Sequence, residues 1–339
     1  MHAQRLTAQL LAGPPARDPV AVAQRLLAVQ GQDPRGARLA IRARSTGLRA
    51  ADVDRALTED RSLLIAWLNR GTLHLVRSED HGWLHALTAP PLFTGNARRL
   101  AQEGVDAGAA ERGVAVIARA LEREGPRTRD QLVERLRSAG VPCEGQAAIH
   151  LLFRASLLGI AVRGPMVGRH HAYVLARDWI GATEPVDRDR ALAELARRFL
   201  AGHGPAGDRD LARWAGLPLR DVRAGLEAIA PELAQRADGL VDLAGRPAAG
   251  ELPPPRLLGA FDPVLLGWVD RAPLLGDHAA RVVVGGLFRP FALAGGRAVG
   301  VWSWSKGEVV LETFGRLSRE VRTALEADAA DVERFLAAG

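Results

Sequence analysis

Asn69-Arg70-Gly71 separates two apolar runs, Leu63–Leu68 and Thr72–Val76, and the pattern across it is a hairpin signal. The chain ahead of it is helical in pattern over residues 3–12, 19–29, 34–44 and 50–58. Ser78-Glu79-Asp80 then caps a helix that runs up to Pro90-Pro91. Three helices and a hairpin make a winged-helix unit, and the same order returns. Helices over 108–123, 128–139 and 144–158 lead into a hairpin at about 160–175, closed by Gly164-Pro165. Helices over 188–201, 208–215 and 218–229 lead into a short hairpin turning at Asp238-Gly239. The repeat is one of topology, not of sequence.

Pro247 to Pro255 (Pro-Ala-Ala-Gly-Glu-Leu-Pro-Pro-Pro) has the composition of a linker. Beyond it, short strands are expected at 256–260, 281–284, 291–294, 298–303 and 309–313, with Gly295-Gly296 as a tight turn and a closing helix over 318–336. The expected fold class is α+β, mainly α. Three tandem winged-helix units occupy 1–105, 106–185 and 186–245, a linker 246–255, and a C-terminal α+β domain 256–339.

Composition narrows the function classes. The net charge is +6 and Lys306 is the only lysine, so the basic residues are almost all arginine. Arginine binds phosphate and base edges through a planar fork, which is compatible with a nucleic-acid partner. The abundance of Ala, Gly and Pro also fits a GC-rich genome, which favours arginine codons by itself. One cysteine, Cys143, excludes an intramolecular disulfide and a multi-cysteine zinc site. The nine histidines form no HExxH, and His170-His171 falls in an expected wing loop, so no metal or cofactor is expected. No run of eighteen apolar residues and no signal-peptide pattern is present, so the expectation is a cytoplasmic protein without a membrane partner.

Between the second and third helical stretches stands Val29-Gln30-Gly31-Gln32-Asp33-Pro34. On a helix, residues two apart point about 200° from each other and cannot serve one site. Gly31 and Pro34 remove the helical option. Asp33-Pro34 reads as the cap and first position of the next helix. Gln30 and Gln32 therefore sit on a non-helical turn, where a spacing of two can aim both carboxamides the same way. They either satisfy local backbone groups or form a site. Behind them Arg35, Arg38 and Arg42 recur at three and four, a single basic helix face.

A major-groove reader must offer polar side chains from its third helix. In the second unit that helix offers only Gln146, His150 and Arg154 beyond the cap, and is otherwise apolar nearly all round. The units therefore read as building blocks packed on one another, a body that cradles its ligand.

At this point the chain resembles a known family. Leu27-Ala28-Val29-Gln30-Gly31-Gln32-Asp33-Pro34-Arg35 is similar to the glutamine motif of the AlkZ/YcaQ-like DNA glycosylases. Arg70-Gly71-Thr72-Leu73-His74-Leu75-Val76 resembles their first hairpin. Ala260-Phe261-Asp262-Pro263-Val264-Leu265-Leu266-Gly267-Trp268 with Asp270-Arg271, followed by Leu287-Phe288-Arg289-Pro290, resembles their C-terminal domain. The resemblance implies tandem winged helices in a C shape around duplex DNA and removal of alkylated purines. One branch unhooks interstrand crosslinks left by DNA-alkylating natural products. The second glutamine, Gln32, is that of the AlkZ branch, whereas Gly31 departs from an aliphatic middle position. The implied protein is a monomer acting on double-stranded DNA that carries alkylated purines.

The chemistry of the residues agrees with that implication. A carboxamide is neither base nor anion, so it positions water through its carbonyl and its two N–H donors. That suffices for an N7-alkylated guanine, which is cationic and leaves as a neutral base. Gln30 and Gln32 are the candidate catalytic pair. Arg35, Arg38, Arg42, Arg70 and His74 are the candidate DNA contacts. A solvated face for the arginines and a structural role for His74 are the competing readings. Asp262 is an alternative carboxylate or a turn cap, and Trp302 with Trp304 a groove wedge or core. A non-enzymatic winged-helix regulator and a protein-binding module are the other function classes.

Overall fold

The computed structural model describes residues 1–168, 170–181, 186–247 and 250–337. It is helix-rich, with strands gathered in small antiparallel sheets. Two compact units emerge: Met1–Val53 together with Asp189–Gly339, and Asp54–Arg188. The boundary expected at 105/106 thus falls inside the second unit. The stretch expected as a 246–255 linker falls inside the first, with 248 and 249 outside the described residues.

In the second unit, strands Leu63–Leu68 and Thr72–Arg77 pair antiparallel from Leu63 with Arg77 to Leu68 with Thr72. All six residues of the first strand are buried, and both hairpin strands carry β-branched or large apolar side chains that suit a covered sheet. Ile65 pairs with Arg163, so this hairpin and the hairpin Ala161–Val167/His170–Leu175 share one sheet. The two expected wings are therefore not separate. Gly164-Pro165 does not close the second hairpin: it lies within the strand Ala161–Val167, at a register shift between Arg163 and Met166. Proline has no N–H for the ladder, and a bulge is where a strand tolerates it. His170 and His171 open a strand instead of occupying a loop.

The helices Ala107–Glu124, Arg129–Ser138 and Ala147–Leu157 precede that hairpin, as the periodicity predicts. Thr128 and Gln131 form a reciprocal capping box at the second. The third buries Ala147, Ala148, Leu151, Leu152, Ala155 and Leu157, in line with its nearly continuous apolar pattern. Between the first two helices, Arg127 bridges antiparallel to Tyr173 of the second hairpin strand. The helix Phe93–Gln102 lies beyond the expected elements: Pro90-Pro91 reads as a stop but sits in the first positions of a short turn, where proline fits, and that turn leads straight into the helix.

In the first unit, helices Arg188–His203, Asp208–Ala215 and Leu219–Ala228 lead into the hairpin Leu233–Gln235/Val241–Leu243. Here too the residue between the first two helices, Ala206, bridges antiparallel to the second strand, at Val241. The turn runs through Asp238 and Gly239, and Gly239 has φ +77°. The C-terminal sheet orders its strands Glu308–Thr313, Arg297–Ser305, Phe291–Ala294 and Arg256–Leu258. The helix Arg319–Leu336 packs on it through Leu325, Val332 and Phe335. The strand expected at 281–284 shrinks to Val283–Val284, because Ala279–Val282 is helical. Among the described residues no helix is long and apolar enough to cross a membrane.

Candidate active site

The helix Pro19–Leu26 is started by Asp18, whose carboxylate accepts from Val20 N–H at 3.1 Å and Ala21 N–H at 3.3 Å. It ends three residues earlier than its periodicity suggests. Leu27 takes φ 64° and ψ −50°, and Ala28 N–H donates to Leu26 C=O at 2.8 Å. That is the positive-φ γ-turn, rare and strained for a residue with a side chain. Complete burial of the Leu27 side chain holds it there.

The strained turn throws the chain into the short extended segment Val29–Gln30. Gln30 is buried, Gly31 is buried and Gln32 is exposed, so the two carboxamides straddle a boundary between protein and solvent. Asp33 then caps the next helix, Pro34–Arg42, accepting from Arg35 N–H at 2.8 Å and Gly36 N–H at 3.0 Å. The non-helical turn and the Asp33-Pro34 cap stand as the sequence predicts.

What fixes this turn lies over two hundred residues away. A Cβ on Gly36 would stand 2.3 Å from the Ala260 carbonyl oxygen, and one on Gly259 would stand 2.9 Å from Leu39 Cβ. Only glycine permits that approach of helix to loop. Arg44, two residues past the helix, is fully buried. It donates to both Asp262 oxygens, at 2.9 and 2.8 Å, and to the backbone and side-chain oxygens of Gln9, both at 2.9 Å. Asp262 also caps Pro263–Leu266 through Val264 N–H at 3.0 Å. It is a structural carboxylate with no face to substrate, and the catalytic alternative for it is set aside. Trp302 is likewise structural: it is buried, and its indole N–H donates to Leu258 C=O at 2.9 Å.

The expected basic face divides. Arg35 is exposed, its guanidinium 6.0 Å from the Trp304 ring centroid. Arg38 is buried, and its Nη1 donates to Pro34 C=O at 2.9 Å. Arg42 is corrected outright. It is 3% exposed, donating from Nε to Asp331 at 2.8 Å and from Nη1 to Asp328 at 3.0 Å. Burial raises the Asp331 carboxyl, but hydrogen bonds from Arg42 and Arg334 outweigh it and hold the group below the usual carboxylate range. A helical spacing of three and four cannot reveal that the far end of the face meets the acidic Asp328/Asp331 side of another helix.

Arg70 and His74 belong to the second unit. Arg70 sits in the hairpin turn with φ 57° and is half-buried. His74 is buried, and its Nδ1 lies 2.9 Å from Thr72 C=O, so a protonated Nδ1 donates there. Burial first, and the charge of Arg70 second, push its pKa down to about 3. His74 is therefore a neutral strand residue, which corrects its expected role as a DNA contact. Among the described residues no three His, Cys, Asp or Glu side chains gather as metal ligands do.

The turn thus presents one exposed and one buried carboxamide, an exposed arginine behind them, and no carboxylate but the capping Asp33. Such a site can orient water, and has no strong base of its own. The DNA glycosylase AlkZ-like family matches residues 23–335. The chain is 30% identical, over 355 positions, to the interstrand DNA cross-link repair glycosylase of Streptomyces sahachiroi, covering 92% of this chain and 89% of that protein. The solved structure of the Streptomyces sahachiroi DNA glycosylase AlkZ matches with a TM-score of 0.81 and 26% identity, covering 98% of this chain and 95% of that one. From the helix before the glutamine turn to the closing helix, the chain belongs to the AlkZ-like DNA glycosylase family.

Proposed function

We infer that this glycosylase hydrolyses the N-glycosidic bond of cationic N-alkylpurines in duplex DNA, of the N7-alkylguanine kind, and that Gln30 and Gln32 hold the attacking water. The observation that carries the reading is the glutamine turn itself. It is set between a strained γ-turn at Leu27 and a helix jammed against Ala260, so the backbone that carries its two carboxamides is anchored at both ends. A cationic purine leaves as a neutral base and needs no general acid, so positioned water is enough. Two helix–helix–helix–hairpin modules, each with a bridging residue between its first two helices, support a winged-helix body for binding the duplex. The crosslink-repair name of the Streptomyces sahachiroi relative supports bulky adducts or interstrand crosslinks as substrates.

The test is single-turnover excision from an oligonucleotide carrying N7-methylguanine, followed by alkali to cleave abasic sites. Wild-type protein is expected to release the base. Gln30→Ala and Gln32→Ala are expected to slow release by about a hundredfold. Glu at position 32 is expected to be less harmful than Ala. Melting temperatures measured alongside separate lost chemistry from lost fold. Wild-type rates in both alanine variants would remove the site; no release by the wild type would remove this lesion class.

A further inference from the structure

Away from the glutamine turn, the first unit contains a second basic feature. A cleft of about 410 Å3 is lined by Gln4 and Thr7 on the first helix, Arg25 at the end of the second, Ala201, and the segment Leu243–Pro247 that includes Arg246. No acidic side chain lines it. Arg25 is exposed, and among the described residues no carboxylate or hydrogen-bond acceptor is paired with it.

The backbone that carries Arg25 and the side chain of Arg246 are both fixed. A Cβ on Gly202 would stand 2.3 Å from the Arg25 carbonyl oxygen, so only glycine lets the helix Arg188–His203 close on this turn. Arg198 on that helix donates to the Gln24 carbonyl at 2.9 Å. Arg246 is fixed by Asp242, 2.8 Å from its Nε, and by the Leu200 and Ala201 carbonyls, 2.6 and 3.2 Å from its Nη2. Its Nη1 takes part in none of these bonds. The protein around Arg25 first, and the charge of Arg246 second, hold the Arg25 pKa below the ordinary arginine value. Two like charges lining one cleft repel, and an anion between them would relieve that cost.

We propose that Arg25 and Arg246 form a phosphate-binding cleft, with Gln4 and Thr7 as flanking polar groups. The phosphate is that of a DNA strand or a free phosphate anion. For the strand, the proposal rests on the DNA-binding reading above and adds a backbone contact separate from the glutamine turn. The apolar wall of Ala201, Leu243, Ala244 and Pro247 suits the sugar side of a nucleotide.

Arg25→Gln is the decisive variant, because Arg25 is exposed and supports no other side chain. Arg246→Gln strips Asp242 of its partner and is a secondary probe. Binding of an unmodified duplex is measured against salt for wild type, Arg25→Gln and Arg25→Lys, with inorganic phosphate tested separately by thermal shift. For a strand contact, Arg25→Gln lowers the log–log salt slope by about one and weakens binding about fivefold to tenfold near 0.1 M salt, and Arg25→Lys restores the slope. For a free anion, phosphate stabilises wild type but not Arg25→Gln, while the duplex slope is unchanged. An unchanged slope with no phosphate effect overturns the cleft, yet leaves the DNA reading standing on wild-type binding. Loss of duplex binding by the wild type would instead overturn the DNA reading, and the phosphate arm would then decide the cleft alone.

Discussion

Arg44 and Asp262 face each other with no exposed side-chain surface on either, joined by two hydrogen bonds of 2.9 and 2.8 Å across 218 residues of chain. A buried pair of this kind is weak in net terms while intact, but its loss on one side leaves an uncompensated charge. Asp262→Ala is therefore expected to destabilise the protein by about 3–5 kcal/mol. Asp262→Asn, which keeps the cap on Val264, should cost less. Urea unfolding measures both. A catalytic role for Asp262 would show the opposite pattern, lost excision at unchanged stability.

The basic helix face makes two different predictions. Arg35→Gln removes an exposed cation beside Trp304 and is expected to lower the salt slope of DNA binding by about one, with little change in melting temperature. Arg42→Gln removes the buried ion pairs to Asp328 and Asp331, leaving Asp331 only Arg334, and is expected to lower the melting temperature. Equal slopes in wild type and Arg35→Gln would mean that Arg35 does not meet the backbone.

The contrast between those arginines shows how far the sequence was legible. Local signals held: Asp33-Pro34 caps its helix, the Asn69-Arg70-Gly71 turn closes its hairpin, and the helix–helix–helix–hairpin order recurs. Long-range pairing did not show. Nothing near Arg42 or Arg44 announces Asp328 or Asp262, because partners this distant leave no periodic trace. Gly36 was equally silent, since a glycine kept for close approach looks like any glycine until Ala260 is set against it. Leu27 shows a third kind of failure: leucine favours helix, and tertiary burial overrides that propensity to force the γ-turn. The candidate glutamines were visible because they stand on a break in the helical pattern, which is itself a local signal.

Three buried histidines govern the response to acid. Burial is the largest cause of each shift, and His74, His81 and His203 are all pushed down to about 3. The unfolded chain takes up protons near the ordinary histidine value, while the folded chain refuses them until far lower pH. Their stabilising contribution is therefore complete above about pH 6.5 and is lost as pH falls toward 3, approaching about 1.4 kcal/mol per pH unit for each histidine. Carboxylates titrate mostly below pH 5, so the interval from pH 7 to 5 isolates the histidines. The urea midpoint is expected to fall steadily across it. A flat midpoint would mean that the histidines are accessible to protons in the folded state.

The last prediction concerns the abasic product. A bifunctional glycosylase attacks the anomeric carbon with an amine, forms a Schiff base and then nicks the strand. Arginine cannot serve, because it stays protonated. The one lysine, Lys306, is exposed in the two-residue turn between Ser305 and Glu308. Lys306 has φ 52° and Gly307 φ 88°, the geometry of a tight hairpin turn. Schiff-base lysines are desolvated in an apolar pocket or set beside another cation, whereas Lys306 lies exposed on its turn. The expected outcome is an intact abasic strand, no nicking before alkali, and no covalent complex on borohydride reduction. Lys306→Ala should excise at the wild-type rate. A borohydride-trapped complex that disappears in Lys306→Ala would transfer the chemistry from Gln30 and Gln32 to the C-terminal hairpin.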